Sequence, residues 1–262
     1  MTYHDPVNTK SEEICLLFKD KLESIGEQGD IGFAGFESVY DSLMPIQQEK
    51  LRSITGDSFN TLLNEGSFIS IGIVYRIPFI DFIDSKVGRN TDFELWNQYA
   101  MEYHRLNQLL NGLAREIAAV FDGIPLTATI GGLTGSANHV SDYFGRVISH
   151  RTIAEHAGLG WRGKNQLTIH ERFSCAIRFA SIIYPNKLRW ATQQSTKCGN
   201  CTACEDACSF IKNRDRLPDY RENCRRYILY LKSQGIEKSV CGKCIKACYR
   251  SSIHTHAFSL PR

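Results

Sequence analysis

Between Glu12 and Ile25 the apolar residues Ile14, Leu17, Phe18, Leu22 and Ile25 recur three and four positions apart, which predicts an amphipathic helix. Two stretches rich in β-branched and aromatic residues, IGFAGF (31–36) and SFISIGIVYR (67–76), read as buried strands. The longest periodic run begins near Thr91, whose hydroxyl suits a first-turn cap. It continues through Leu95, Tyr99, Leu106, Leu110, Leu113, Ile117 and Phe121 to Asp122–Gly123, one continuous helical face. PLTATIGG (125–132) predicts another strand. SHRTIAEHAG (149–158) predicts a short helix with Ser149 as N-cap and Gly158 as its stop. FSCAIRFASIIY (173–184) alternates at first and is then wholly apolar, as a strand buried on both faces would be. Helices interleaved with strands as far as Tyr184 predict an α+β or α/β domain over residues 1–185. From Asn186 the texture changes to cysteines, charges and short segments, so a second unit is expected over 186–262.

Composition adds two constraints. With 262 residues, 42% of them hydrophobic and 23% charged, the chain can build an ordinary core without disulfide staples. Its polar N-terminus lacks a basic start followed by an apolar run, so no secretory leader is expected. No stretch approaches the roughly 18 apolar residues of a membrane span. The nearest, SFISIGIVYRIPFIDFI, contains Arg76 and Asp81. The expected location is the cytoplasm, a reducing setting in which clustered cysteines bind metal more often than each other.

Eight of the ten cysteines are clustered. Cys198, Cys201, Cys204 and Cys208 form C-x2-C-x2-C-x3-C; Cys224 stands alone; Cys241, Cys244 and Cys248 form C-x2-C-x3-C. A cubane iron–sulfur cluster takes three thiolates from one tight loop and the fourth from elsewhere, and in two-cluster ferredoxins the last cysteine of each run crosses to the other cluster. By that rule Cys198, Cys201, Cys204 and Cys248 hold one [4Fe–4S] cluster, and Cys208, Cys224, Cys241 and Cys244 hold the second. Zinc would prefer paired C-x2-C motifs and would leave some of these residues without a role. Ser209 and Tyr249 stand where a proline often follows the last cysteine. Cys15 and Cys175 lie on apolar faces and are expected in the core.

GLGWRG (158–163) matches G-x-G-x-x-G, but a helix precedes it and a strand-like LTI follows, the reverse of the dinucleotide-binding order. The longer stretch RTIAEHAGLGWRGKNQLTI (151–169), followed by two ferredoxin-type cysteine runs, instead resembles the epoxyqueuosine reductase family, which is related to the reductive dehalogenases. QYAMEYHRLNQLL (98–110) is a weaker echo of the same family. The resemblance implies a nitroreductase-like domain that binds base-off cobalamin, followed by a two-cluster ferredoxin-like module that feeds it electrons. It points to Arg151, Gly158, Leu159, Gly160, Trp161, Gly163, Lys164 and Asn165 as cofactor-binding. The glycines would admit a flat ring, Trp161 would pack on it, and Arg151 and Lys164 would meet its polar tail.

The same resemblance places a proton-donating acid 16 positions before Gly160, where this chain has Phe144. Asp142 and Tyr143, beside it, and Tyr103 and His104, retained from the tyrosine–histidine motif, are the candidate catalytic residues. Val147, His150 and Glu102 also depart from the family pattern, and the chain stops soon after the last cysteine. The expectation is a cobalamin-dependent iron–sulfur reductase whose substrate differs from epoxyqueuosine-tRNA; the alternative is an electron carrier or corrinoid reductase without substrate chemistry of its own. From residue 186 onward there are 15 Lys and Arg against 6 Asp and Glu, a net of +9, while the remainder nets −6. That asymmetry suits an acidic low-potential donor such as ferredoxin or flavodoxin, or a nucleic acid such as tRNA, and it also offsets the negative charge of the clusters themselves.

Overall fold

A computed structural model of the chain describes residues 6–84, 87–128 and 137–251. Helix α1 (Pro6–Ser24) opens on a proline, whose missing N–H is no loss in a first turn, and buries Ile14, Phe18 and Leu22 along one face. Strand β1 (Gly29–Gly35) leads into three short helices, α2 (Phe36–Asp41), α3 (Pro45–Thr55) and α4 (Phe59–Glu65). After strand β2 (Ser67–Val74) come α5 (Ile77–Asp81), the 28-residue helix α6 (Phe93–Val120) and strand β3 (Ile124–Leu126). Two short helices follow, α7 (Val140–Phe144) and α8 (His150–His156), then the small hairpin β4 (Trp161–Arg162) and β5 (Thr168–Ile169), and strand β6 (Ile177–Tyr184). Helices α9 (Ala203–Ala207), α10 (Ser209–Lys212), α11 (Tyr220–Ser233) and α12 (Lys243–Tyr249) complete the chain.

The main sheet has the order β1-β2-β6-β3 with every pair antiparallel, so the architecture is α+β. Side-chain alternation assigns its two faces. Phe33, Ile69, Ile71, Ile73, Ala180, Ile182 and Tyr184 join the helices α1 and α6 in one apolar core. Ala34, Phe68, Leu126 and Ile183 point the other way, into a second core with α2, α3, α4 and α8. The register places Ile69 opposite Ile182 and Phe68 opposite Ile183, so neither face is broken by a slip.

Most of the expected elements are present, with shifts that have local causes. Asp92, not Thr91, caps α6, accepting from the Leu95 amide at 2.9 Å, while the Thr91 hydroxyl accepts from Gly88 N. Ser149 caps α8 as expected, accepting from Thr152 N. Strand β6 starts at Ile177 because residues 170–174 close a tight loop first. The strand expected over 125–132 is observed only as far as Leu126, and its positions 129–132 lie outside the described residues. Helices α2 to α4 and α7 went unread, being too short to build a periodic stripe.

Residues on both sides of position 186 share the larger core. Leu188, Leu231, Ile236, Val240 and Tyr249 pack in the same cluster as Phe18, Trp96 and Leu106. Polar ties reinforce the junction. The Ser67 hydroxyl donates to Asn186 O and accepts from Leu188 N and the Trp190 indole. Trp96 Nε1 donates to Cys241 O at 3.0 Å, and Asn97 bonds both Gly235 O and Glu237 N. Leu231→Ala should therefore cost about 2–5 kcal/mol in one cooperative melt of the whole chain. Circular dichroism with differential scanning calorimetry checks this; an unaltered main transition beside a separate early one would contradict the shared core.

Candidate metal centre

Tight turns and short helices deliver the cysteines. Cys198 and Cys201 are in a loop closed by a Cys201 N to Cys198 O bond, Cys204 is on α9, and Cys208 joins α9 to α10. Cys224 comes from α11, Cys241 from the turn before α12, and Cys244 and Cys248 from α12 itself, one turn apart. That last turn depends on Gly242, at φ +81°, where a β-carbon would lie 2.6 Å from both Ile83 and Tyr99.

One enclosed space is lined by Cys198, Cys201, Cys204 and Cys248 together with Lys164, Asn165 and Ile169. These are the four cysteines assigned to one cluster on spacing alone. The other four act on one another: the thiol of Cys224 is raised to about 12 by burial and then by Cys241 and Cys208. Burial first, then Cys241, Cys224 and Cys208, raise Cys244 strongly. Burial likewise lifts Cys204 and Cys241 to about 11. A bound cation reverses this by favouring thiolates, so metal uptake here would release protons. A single zinc ion needs its sulfurs about 2.3 Å away. Among the described residues no three Cys, His, Asp or Glu side chains are grouped to hold one ion.

Asn165 supplies an independent observation. Its Oδ1 accepts from Leu167 N at 3.1 Å, which leaves Nδ2 as a buried donor with no partner among the described residues, beside the four cysteines. A buried amide N–H left unpaired is costly, and anionic sulfur would satisfy it. Cys15 is half-buried against the larger core, whereas Cys175 is buried against Cys248, Trp161 and Ile169.

The glycine loop runs directly into Lys164 and Asn165, which line this site. Gly160, at φ +148°, is required because a β-carbon would meet Ile169 O at 2.2 Å, across the β4–β5 hairpin. Gly163 is pressed by the Ile169 side chain, Gly158 by Ala191, and Leu159 is buried in the second core. Trp161 is 3% exposed and packs on Cys175 and Cys248. Lys164 Nζ donates to Cys201 O at 2.9 Å, and Lys164 O accepts from Arg214. Among the residues expected to hold a corrinoid, Arg151 donates through Nη1 to Gln166 O, while Nε has no hydrogen bond among the described residues but lies 3.7 Å from Glu155 Oε1. Burial and neighbouring Arg162 bring its guanidinium down to about 10. Thr168 Oγ1, nearby in the hairpin, is also buried and unbonded among the described residues.

No protein-family profile matches the chain. Over 61 residues it is 36% identical to the epoxyqueuosine reductase of Listeria monocytogenes, and over 85 residues 33% identical to that of Pseudomonas aeruginosa. Over those segments the chain is similar to epoxyqueuosine reductases. Those segments make up 23% and 32% of this chain, but only 16% and 23% of the two relatives. Solved epoxyqueuosine reductases from Streptococcus thermophilus and Bacillus subtilis overlay at TM-scores of 0.39 and 0.42, with 17% and 21% identity. The overlays cover 75% and 77% of this chain and about half of the other (52% and 53%), so the relationship rests on the sequence matches.

Where the sequence departs from the epoxyqueuosine reductase pattern, side chains serve local packing and capping. Asp142 is exposed, and its Oδ2 accepts from Asn138 N and His139 N, capping α7. Phe144 lies beneath the Arg221 guanidinium, 5.5 Å from its ring centroid, and edge-on to Tyr143. Tyr103 is buried with the Arg178 guanidinium 4.0 Å from its ring centroid, and His104, next on α6, is half-buried. Arg178 also donates to Asn107 Oδ1 and the Tyr75 hydroxyl. His150 is buried between Ser181 Oγ and Thr127 O, and burial lowers it to about 4, so it is neutral at physiological pH. Sequence reading missed Arg178, whose signal was a lone charge inside an apolar strand, and marked His150 only as a departure from the family pattern.

Helix α7 is clamped to the cysteine-bearing helix α11 through Glu222. This carboxylate accepts from Val140 N at 2.9 Å and from Arg225 at 2.8 and 2.7 Å, while Arg225 also reaches Ala137 O and Asn138 O. Arg225 and the backbone bond bring Glu222 down to about 2. A lowered carboxylate stabilises the fold in full above its unfolded value, near 4.5, and loses that contribution as pH falls through about 2. Glu222→Gln should thus melt below the unsubstituted chain at pH 7, with the gap closing from about pH 5 downward. A gap constant across a pH series of melts would contradict the clamp. In the chain reconstituted with iron and sulfide, Lys164→Ala should speed iron loss to a chelator on the order of tenfold, because it frees the Cys201 loop; unchanged loss would leave Lys164 no part in holding that loop.

Proposed function

We propose that this chain is an iron–sulfur oxidoreductase that carries two [4Fe–4S] clusters and delivers their electrons to an organic substrate at the larger unit. Cys198, Cys201, Cys204 and Cys248 bind the first cluster, and Cys208, Cys224, Cys241 and Cys244 the second. The observation that carries this reading is the space lined by the four cysteines of the first set, with the unpaired Asn165 amide beside them. The cysteine-bearing part from 186 to 262 is ferredoxin-like in this reading and the body before it nitroreductase-like. A reduced ferredoxin or flavodoxin is the donor of choice, given the basic C-terminal part. No helix among the described residues is long and apolar enough to cross a membrane.

The kinship with epoxyqueuosine reductases supports a reductase related to queuosine metabolism, yet the residue at the expected acid is Phe144 and the neighbouring Asp142 is spent on a helix cap. The substrate is therefore placed outside epoxyqueuosine-tRNA. Cobalamin, where bound, supplies low-potential reduction at its metal. Thr168 has an unspent hydroxyl, and the Arg151 guanidinium a nitrogen paired at 3.7 Å with Glu155, that would hold its periphery, while the glycine loop is committed to the protein's own packing. A second reading, an electron carrier, draws on that same commitment.

Anaerobic reconstitution with iron, sulfide and cobalamin tests the proposal. About eight irons per chain are expected for two cubanes. Cys204→Ala and Cys244→Ala should each retain about four. Full iron in either variant would overturn the ligand assignment. A corrinoid retained through gel filtration, with a base-off cob(II)alamin EPR signal, selects the enzyme; eight irons without corrinoid select the carrier.

A further inference from the structure

The loop 170–174, which belongs to the body and lies far in sequence from any clustered cysteine, ends on the first metal site. His170 and Ser174 exchange two backbone hydrogen bonds, each 2.8 Å, which close the loop. His170 Nδ1 accepts from the Arg172 and Phe173 amides, so Nε2 carries the proton and donates to Asp30 Oδ2 of β1 at 2.9 Å. Phe173 stacks on the same imidazole, with ring centroids 4.8 Å apart. Held this way, Ser174 is fully buried and adopts φ +52°, a left-handed conformation that a serine takes only when its surroundings impose it. Its hydroxyl lies 3.4 Å from Cys248 Sγ. The next residue grips the same helix, with the Cys175 thiol donating to Ile245 O at 3.5 Å.

We infer that Ser174 is a positioning residue for the first cluster: its hydroxyl donates to the Cys248 thiolate and raises the reduction potential of the cluster bound there. The inference rests on the two-cluster reading. A thiolate ligand has no proton, so in the metal-bound protein the hydroxyl is the only possible donor of this pair. A hydrogen bond to a ligand sulfur favours the more negative, reduced cluster, which moves the potential upward. The strained conformation serves to aim that hydroxyl.

The test compares the full chain with Ser174→Ala and Ser174→Gly, all reconstituted anaerobically, by iron content and EPR-monitored redox titration. The glycine variant relieves the backbone strain as it removes the hydroxyl, so it holds the left-handed backbone more easily than the alanine variant does. The expected result is full iron and one midpoint lowered, such that the reduced-to-oxidised ratio of that cluster falls about threefold at fixed potential, about 30 mV at 59 mV per tenfold. The other midpoint stays in place. Two unmoved midpoints with full iron would overturn the inference, as would iron loss in both variants, which marks a merely structural anchor. Failure of the unsubstituted chain to assemble the first cluster is a different result: it overturns the two-cluster reading itself.

Discussion

Everything in this protein hangs on a core that does not respect the change in sequence texture. Trp96, Tyr99, Tyr103 and Leu106 of helix α6 lie in one core with Ile69, Ile71 and Ile182 of the sheet and with Leu231, Ile236, Val240 and Tyr249. A metal-binding segment of this size has little apolar surface of its own, and small cysteine-rich units are usually held together by their metal. Here the body supplies the missing wall. The cysteines on α11 and α12 are thus placed by ordinary hydrophobic burial, reinforced by Lys246 on the Asp81 and Ile83 carbonyls and by Arg250 on Asp81.

The charge asymmetry takes on a different meaning once side chains are placed. Arg225 is consumed by Glu222 and two carbonyls, Lys243 bonds the Tyr227 hydroxyl, Arg214 bonds Lys164 O, and Lys246 and Arg250 face α5 and its following turn. Five of the fifteen cations beyond residue 186 are therefore structural cement. Exposed cations such as Lys212 and Arg226 remain at the surface, each with an acidic neighbour.

Legibility in the sequence followed the length scale of each signal. The long period of α6 and the apolar runs of β2 and β6 were plain because burial repeats over many residues. Helices α2, α3 and α4 were not, since a helix of six to eleven residues offers at most two or three buried positions. At the metal site, spacing alone grouped Cys248 with Cys198, Cys201 and Cys204, because the ligand-exchange rule is a property of tight loops. The glycine loop was harder. GLGWRG reads as a cradle for a cofactor, yet Gly160 is demanded by Ile169 O and Trp161 is buried on Cys248. Which atom crowds a glycine is a tertiary fact that spacing does not carry. Ser174 was invisible for the same reason: nothing local marks a serine whose partner is 74 residues away.

Helix α12 has only seven residues and carries one cysteine of each set, Cys244 and Cys248, four positions apart. Four residues of α-helix advance about 6 Å along the axis. With iron on both sulfurs, the gap between the two metal groups is therefore ruled by helical geometry and is indifferent to how the surrounding loops breathe. Tunnelling between them would proceed over a distance held by one short helix, so conformational change elsewhere in the molecule could alter who gives or takes an electron while the spacing of the two centres stays the same.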